Sequence, residues 1–381
     1  MGGRQRILTV FGTRPEAIKL VPLLHLLAAD PRFDSRICST GQHREILDQV
    51  LRVAGIVPNI ALGAMRGGQT LDDLAARLLA CLSDVIVREK PDWVTVQGDT
   101  ATTLCAAVAA HWHGVRVAHV EAGLRSGDFA RPYPEEINRY LVARIAALHL
   151  APTDSAAAAL VAEGVDPALV HVTGNTVVDA LHWINGRVGA APELAADLAD
   201  LEGRFAGRRI IAVTCHRREN WNGGVHEIAQ AVRMLAARPD IAFIIPLHPN
   251  PLLRESFAAA LGGVANVAMI APLDYPHFAR LIAIAHLILT DSGGVQEEAP
   301  ALGTPVLVMR DTTERPEGVM AGTARLVGSD RARIVAEVTR LLDDEAAHGA
   351  MARAHNPYGD GHASERIVSL LARDRPGHMP G

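Results

Sequence analysis

Short apolar or β-branched runs recur along this chain, and each is separated from the next by a longer segment of helical period. In the first half they are RILTVFG (6–12), RICST (36–40), WVTVQG (93–98), VRVAHVE (115–121) and ALHLAP (147–152), with PEAIKLVPLLHLLAA and TATTLCAAVAAHWHG among the helical spacers. Strands that are apolar on both faces have to be covered on both, which a parallel sheet flanked by crossover helices achieves. The rhythm pauses in the Ala/Asp/Gly-rich stretch 185–209 and restarts with IIAVTCH, IAFIIPLH, VAMIAP, HLILTD and TPVLVMR. At 381 residues the chain exceeds the size at which one hydrophobic core keeps growing, so two α/β domains are expected. The boundaries predicted are 1–180 and 209–358, joined by a linker at 181–208. A tail at 359–381, GDGHASERIVSLLA and beyond, combines turn chemistry with a short amphipathic helix expected to pack back on the first domain.

The remaining composition narrows the function. A net charge of −5 leaves no electrostatic footprint for nucleic acid or an anionic membrane surface. There is no uncharged apolar run of about 18 residues, and MGGRQRILTVFG enters a strand with no signal-peptide core, so a cytoplasmic protein is expected. The four cysteines, Cys38, Cys81, Cys105 and Cys215, form no Cys-x-x-Cys pair, which argues against a zinc ribbon or a redox motif. The one Gly-x-Gly, Gly359-Asp360-Gly361, has Ser364 where a third glycine belongs, and neither lysine sits in a Walker A spacing; nicotinamide and P-loop sites are disfavoured.

Ligands of open parallel sheets sit beyond the carboxyl ends of the strands, and the chemically capable residues gather there. Arg14 and Lys19 follow the first strand, Asp99 follows WVTVQG, Glu121 ends VRVAHVE, and His216 and His248 end two strands of the second half, where Asp291 and Ser292 end a third. Only two of the 37 basic residues are lysines, Lys19 and Lys90, so an ammonium in the first βα turn stands out as a compact charge that arginine does not replace. FGTRPEAIKL reads as strand, glycine turn and helix N-terminus, either an anion site or an ordinary βα turn. In LTDSGGVQEEAP, Ser292-Gly293-Gly294 would let backbone N–H groups approach a phosphate, with Glu297 and Glu298 gripping a ribose diol; the plainer alternative is a βα loop whose acids complement the helix dipole, and the nucleotide-diphosphate reading is preferred. Asp99 is either a helix cap or a working carboxylate.

The stretch HVEAGLRSGDFARPYPEEINR (119–139) holds Glu121, Asp128, Glu135 and Glu136 among Arg125, Arg131 and Arg139. Glu135 and Arg139 are four apart on a predicted helix, an i,i+4 pair worth a few tenths of a kcal/mol at most. Glu121 resists that surface reading, because it ends an apolar strand. Asp128 reads as solvated.

FGTRPEAIKL, TGQHREILDQV, QGDTATT, HVEAGLRSGD, RPYPEEINR, VTGNTVVDAL, HRREN, PLHPNP, DSGGVQEEAPALGTPVLVMRDTTERPEGV and NPYGDG, in this order over nearly the whole chain, resemble the non-hydrolysing UDP-N-acetylglucosamine 2-epimerases. The resemblance implies two Rossmann-like domains with a central cleft, a glycosyltransferase-B-like architecture, and a homodimer. It places catalysis on Asp99, Glu121 and Glu135, with His216 near the phosphates. Substrate contacts fall on Arg14, Lys19, Arg139, Phe278, Ser292, Gly293, Gly294, Glu298 and Arg315.

The implied reaction eliminates UDP across C1–C2 to a 2-acetamidoglucal and adds it back with the proton on the other face. That requires more than one carboxylate and a cationic cradle for the diphosphate, but no metal and no cofactor. A regulatory site of the bacterial relatives maps onto Gln42, Glu136, Arg217 and His248. One of its arginines is replaced here by Gly68 in RGGQTL, with Arg66 two residues earlier. The same chemistry on a UDP-2,3-diacetamido-uronic acid, or glycosyl transfer on the same fold, are the alternatives.

Overall fold

The computed structural model describes residues 4–41, 44–221 and 223–373; Gln42 lies outside them. The chain divides into two compact units, Met1–Ala180 with Gly359–Gly381, and Leu181–Tyr358. The first unit begins β1 (Gln5–Phe11), α1 (Arg14–Ala29), β2 (Phe33–Ser39), α2 (Arg44–Ala54), β3 (Ile60–Ala61) and α3 (Leu71–Glu89). It continues β4 (Trp93–Gln97), α4 (Ala101–Trp112), β5 (Arg116–Val120), α5 (Glu135–Ile145), β6 (Leu148–Ala151), α6 (Asp154–Ala162) and β7 (Val170–Val172). The chain passes to the second unit within α7 (Thr176–Ala190).

The second unit runs α8 (Ala196–Arg204), β8 (Arg209–Thr214), α9 (Gly224–Leu235), β9 (Ile241–Pro246), α10 (Pro251–Leu261), β10 (Val267–Ile270), α11 (Tyr275–Ile284) and β11 (Ala285–Thr290). It ends α12 (Gly293–Glu298), β12 (Val306–Val308), α13 (Pro316–Ala321), β13 (Ala324–Leu326), α14 (Arg331–Asp343) and α15 (Glu345–Ala352). A last helix, α16 (Ala363–Arg373), belongs to the first unit and packs on α1.

Each unit is one parallel sheet, ordered β3-β2-β1-β4-β5-β6-β7 in the first and β10-β9-β8-β11-β12-β13 in the second. The order reverses between β1 and β4 and between β8 and β11. At such a point the two adjoining crossovers run to opposite faces of the sheet, which leaves a crevice beyond the strand ends. The first sheet buries Leu8, Val10, Val94, Val96 and Val117 against Leu74, Leu78, Leu82 and Val85 of α3 and the alanines of α4. The small side chains Ala106, Ala109 and Ala110, each fully buried, let α4 lie close to sheet and neighbour alike. In the second unit Ile211, Val213, Phe243, Ile245, Leu287 and Leu289 form the same layer against α9, α10 and α14.

One sequence expectation changes. The stretch 181–208, read as a linker, is mostly helical, formed by the end of α7 and by α8. Its Leu181, Ile184, Leu198 and Phe205 are buried, an apolar stripe that the Ala/Asp/Gly composition masks. The edge strands β3, β7 and β13, two or three residues long, were not legible, because so few residues cannot display a period of two. The start of α16 is held by Asp179 of α7, whose carboxylate accepts from Ser364 N at 2.7 Å and Ala363 N at 3.2 Å.

Candidate active site

The first βα turn is closed by its own side chains. Thr13 and Glu16 form a capping box, and Glu16 accepts from the N–H groups of Gly12 (3.1 Å) and Thr13 (2.7 Å). Its other oxygen accepts from the hydroxyls of Thr100 (2.8 Å) and Thr103 (3.3 Å) in the β4–α4 turn. The start of α1, expected as a possible anion site, therefore already holds a carboxylate from its own chain. Burial raises the Glu16 pKa against these bonds. Arg14 stands exposed at the first position of α1.

Lys19, one turn further on, reaches Glu121 at the end of β5, with Nζ 2.7 and 2.5 Å from the two carboxylate oxygens. Gln97 Nε2, at the end of β4, donates to Oε2 of Glu121 at 2.5 Å. Glu121 has φ +64°, a left-handed backbone that a residue with a side chain rarely adopts. Neighbouring contacts hold it there: Gly98 N donates to Val120 O at 3.0 Å and Ala122 N to Leu150 O at 3.1 Å.

Asp99 follows β4 directly. The cap of α4 is Thr100, whose hydroxyl accepts from Thr103 N at 3.2 Å, so the Asp99 carboxylate is not spent on capping. It is gripped instead by Arg139, whose Nε and Nη2 both address Oδ2, at 2.7 and 2.5 Å. Asn138 Nδ2 holds the Asp99 carbonyl at 2.8 Å.

The expected Glu135–Arg139 pair does not form: Arg139 turns to Asp99 and to Glu136, one helical turn back at 2.7 Å. Glu136 is fully buried, and its Oε1 accepts from Ser126 N (2.9 Å) and Gly127 N (3.0 Å). Burial works against its charge, yet those N–H groups and Arg139 hold its pKa below the ordinary value. Glu136 thus fastens the 124–130 loop to α5, and as a regulatory contact it would have to give up those partners. Glu135 is half-buried in the first turn of the same helix. Asp128 is exposed and closes a local turn on Ala130 N.

In the second unit, Asp291 at the end of β11 is fully buried and accepts from four donors of the β8–α9 segment. These are His216 N (3.0 Å), Arg217 N (2.9 Å), Asn220 Nδ2 (3.1 Å) and His216 Nδ1 (3.0 Å). Burial opposes its charge, but the His216 ring and these N–H groups bring its pKa down to about 2. The His216 ring stays 42% exposed and stacks on His248 at 6.5 Å between centroids.

Arg217 pairs with Glu314 at 2.9 Å, and Glu314 also meets Arg310. Arg315 pairs with buried Glu297, one turn into α12. Glu298 is buried beside Tyr275; burial and then the Glu298 charge push that phenol well above its usual range. Phe278 lies half-buried on α11.

Neither Gly293 nor Gly294 has a left-handed backbone. A Cβ on Gly293 would meet Arg217 Nη2 at 3.7 Å, and one on Gly294 would meet nothing within 4 Å. These glycines leave open space at the start of α12.

Beyond the strand ends of the first sheet the structure forms two charged clusters, Lys19 with Glu121, and Arg139 with Asp99 and Glu136. It gathers His216, Arg217 and Asp291 at the β8–β11 switch point of the second sheet, with Ser292 and Gly293 adjacent. Sequence reasoning missed Gln97, Asn138 and Asn220, neutral amides whose only signal was position beside a charged motif residue.

The UDP-N-acetylglucosamine 2-epimerase family model matches residues 25–372. The Escherichia coli K12 UDP-N-acetylglucosamine 2-epimerase is 50% identical, over 97% of this chain and 99% of that protein. The Yersinia pestis enzyme of the same name is 51% identical, over 96% and 98%. A crystal structure of UDP-GlcNAc 2-epimerase from Neisseria meningitidis, bound to UDP-GlcNAc, superposes with a TM-score of 0.85 at 42% identity, covering 97% of this chain and all of that one. Two Rossmann-like units of this kind make up the glycosyltransferase-B-like fold, and this chain belongs to the UDP-N-acetylglucosamine 2-epimerase family.

Proposed function

We propose that this chain interconverts UDP-N-acetylglucosamine and UDP-N-acetylmannosamine by eliminating UDP across C1–C2 to a 2-acetamidoglucal and adding it back. The observation that carries the reading is the pair Asp99 and Glu121 beyond the ends of the neighbouring strands β4 and β5, each held by its own cation, Arg139 and Lys19. The C2 hydrogen lies beside no carbonyl, so its removal has to be coupled to departure of the diphosphate from C1. Epimerisation further needs proton carriers for both faces of the ring. Asp99, Glu121 and half-buried Glu135 are the proposed carriers; which of them serves which face is not assigned.

The first unit handles the protons of the sugar in this reading, and the second unit holds the nucleotide. There His216, Ser292, Gly293, Gly294 and Arg315 are proposed for the diphosphate, and Phe278 and Glu298 for the nucleoside. Arg14 is a proposed anion contact. Arg217 and His248 are the candidates for an activating second nucleotide sugar. A cytoplasmic homodimer is proposed on family likeness; among the described residues no helix is long and apolar enough to cross a membrane.

In deuterated water the protein should place deuterium at C2 of UDP-N-acetylglucosamine and release a small amount of free UDP. Absence of both, with either epimer as substrate, rejects the assignment. Side-by-side incubation with a UDP-2,3-diacetamido-uronic acid tests the sugar preference.

A further inference from the structure

A buried carboxylate that accepts from the Nδ1 of an exposed imidazole, and from the backbone on either side of it, is an orienting device. We infer that Asp291 is the positioning residue of His216: it fixes the ring as the Nδ1–H form and leaves Nε2 as the nitrogen that serves the leaving diphosphate. The inference rests on the proposed role of His216 and extends it.

Four donors converge on one carboxylate that is itself fully buried: His216 Nδ1, His216 N, Arg217 N and Asn220 Nδ2. Asn220 Nδ2 also reaches the carbonyl of Met309 at 3.3 Å, which ties this corner to the strand beyond Asp291. Both backbone N–H bonds keep the His216 main chain from swinging, so the ring can only pivot about a point already fixed. A neutral imidazole in water favours the proton on Nε2; a carboxylate at Nδ1 reverses that choice and also stabilises the doubly protonated ring. The ring is exposed while its partner is buried, so the Nδ1 edge faces protein and the remaining nitrogen is the one available to a ligand.

The balance of the step is simple. As the C1–O bond breaks, its electron pair stays on the β-phosphate oxygen, and His216, which enters the step protonated on both nitrogens, passes its Nε2 proton to that oxygen. The C2 proton goes to a carboxylate and the C1–C2 double bond forms. His216 is left as the neutral Nδ1–H form, still bound to Asp291, and takes the proton back when UDP adds to the glucal. Asp291 never touches the substrate; its effect is exerted through the ring.

The test uses the full-length chain with 15N-labelled histidine. In the native protein, His216 in its neutral form should give the resonances of an Nδ1–H tautomer. Asp291→Asn should lower kcat for C2 deuterium incorporation by roughly 100-fold with KM within about threefold, and should lose that tautomer signature. His216→Asn should lower kcat comparably, and the double variant should fall no further than the worse single one.

An Nε2–H tautomer in the native protein overturns the inference. So does an Asp291→Asn variant with kcat within threefold of native, or a double variant whose loss is the product of the two singles. The tautomer reading needs no substitution, so it decides even if Asp291→Asn fails to fold. If His216→Asn alone exchanges C2 at the native rate, the proposed role of His216 is what fails, while the resonances still report whether Asp291 holds the ring.

Discussion

The ammonium of Lys19, on α1, brackets both carboxylate oxygens of Glu121, at 2.7 and 2.5 Å, and Glu121 is held there with φ +64°. A left-handed backbone at a non-glycine residue costs on the order of 1 kcal/mol or more and persists only where surroundings enforce it. Here the enforcement comes from the ion pair, from Gln97 and from two backbone bonds of the flanking strands. That strain, and a partner drawn from only two lysines in the chain, are why Glu121 is proposed as a working carboxylate.

Removing that ammonium tests the proposed role. Lys19→Met should cut C2 deuterium incorporation roughly 100-fold, since the charge on Glu121 loses its counter-ion and its aim. Lys19→Arg should recover only part of it, because a planar fork does not place one compact charge on both oxygens. Steady-state kinetics in deuterated water measure both; native rates in Lys19→Met would remove Lys19 from the site.

Gly12 is required by close approach. A Cβ there would lie 2.4 Å from both Thr40 Oγ1 and Thr102 Oγ1, which are themselves 3.0 Å apart. Gly12→Ala should destabilise the first unit by about 2 kcal/mol, and adding Thr102→Ala should return part of that. Denaturant midpoints of the two variants decide; an unchanged midpoint in Gly12→Ala would show that the threonines turn aside at no cost.

Acid should weaken the fold before the carboxylates protonate. His119 and His149, buried side by side on β5 and β6, are both held down to about 4 from an ordinary 6.5, chiefly by burial. Between those values the unfolded chain binds protons that the folded one refuses. Stability is therefore complete above about pH 6.5 and falls as the pH drops toward 4, by up to about 3 kcal/mol for the first of the pair. His286, less buried, adds a share in the second unit. His119→Gln retains a donor for the Gly98 carbonyl, now held at 2.7 Å, and should flatten the profile. Denaturant midpoints at pH 7.5, 6 and 5 measure it, and a native-like slope in His119→Gln would assign the loss elsewhere.

Asp179 should govern the terminal helix. Asp179→Ala leaves the N–H groups of Ala363 and Ser364 without their acceptor, at a cost of about 1–2 kcal/mol, and should make α16 sensitive to protease while the two sheets stay intact. Limited proteolysis with mass analysis follows the cut; equal resistance in variant and native protein counts against the cap.

Much of the architecture was legible because burial on both faces of a parallel strand leaves an unmistakable apolar run. β1, β4, β5, β8, β9 and β11 each appear as one, and charged or polar residues follow several of them directly. α8 was missed because alanine and aspartate outnumber its buried Leu198, and the shortest edge strands because nothing in two or three residues is periodic.

Within the site, local spacing misled where partners come from afar. Glu135 and Arg139 are a correct helical pair by sequence, yet Asp99, forty residues earlier, and Glu136 take the arginine. Thr100 rather than Asp99 caps α4, which frees the carboxylate. The order of runs and turns was enough to settle that this chain forms two parallel α/β units with charged residues at their strand ends, since apolar periodicity and turn chemistry are local properties. Which acid keeps its charge, which is buried to fasten a loop and which cation faces which carboxylate were decided only by tertiary packing. Ion pairs and hydrogen bonds depend on distances of a few ångströms between residues far apart in the chain, and no local pattern encodes those.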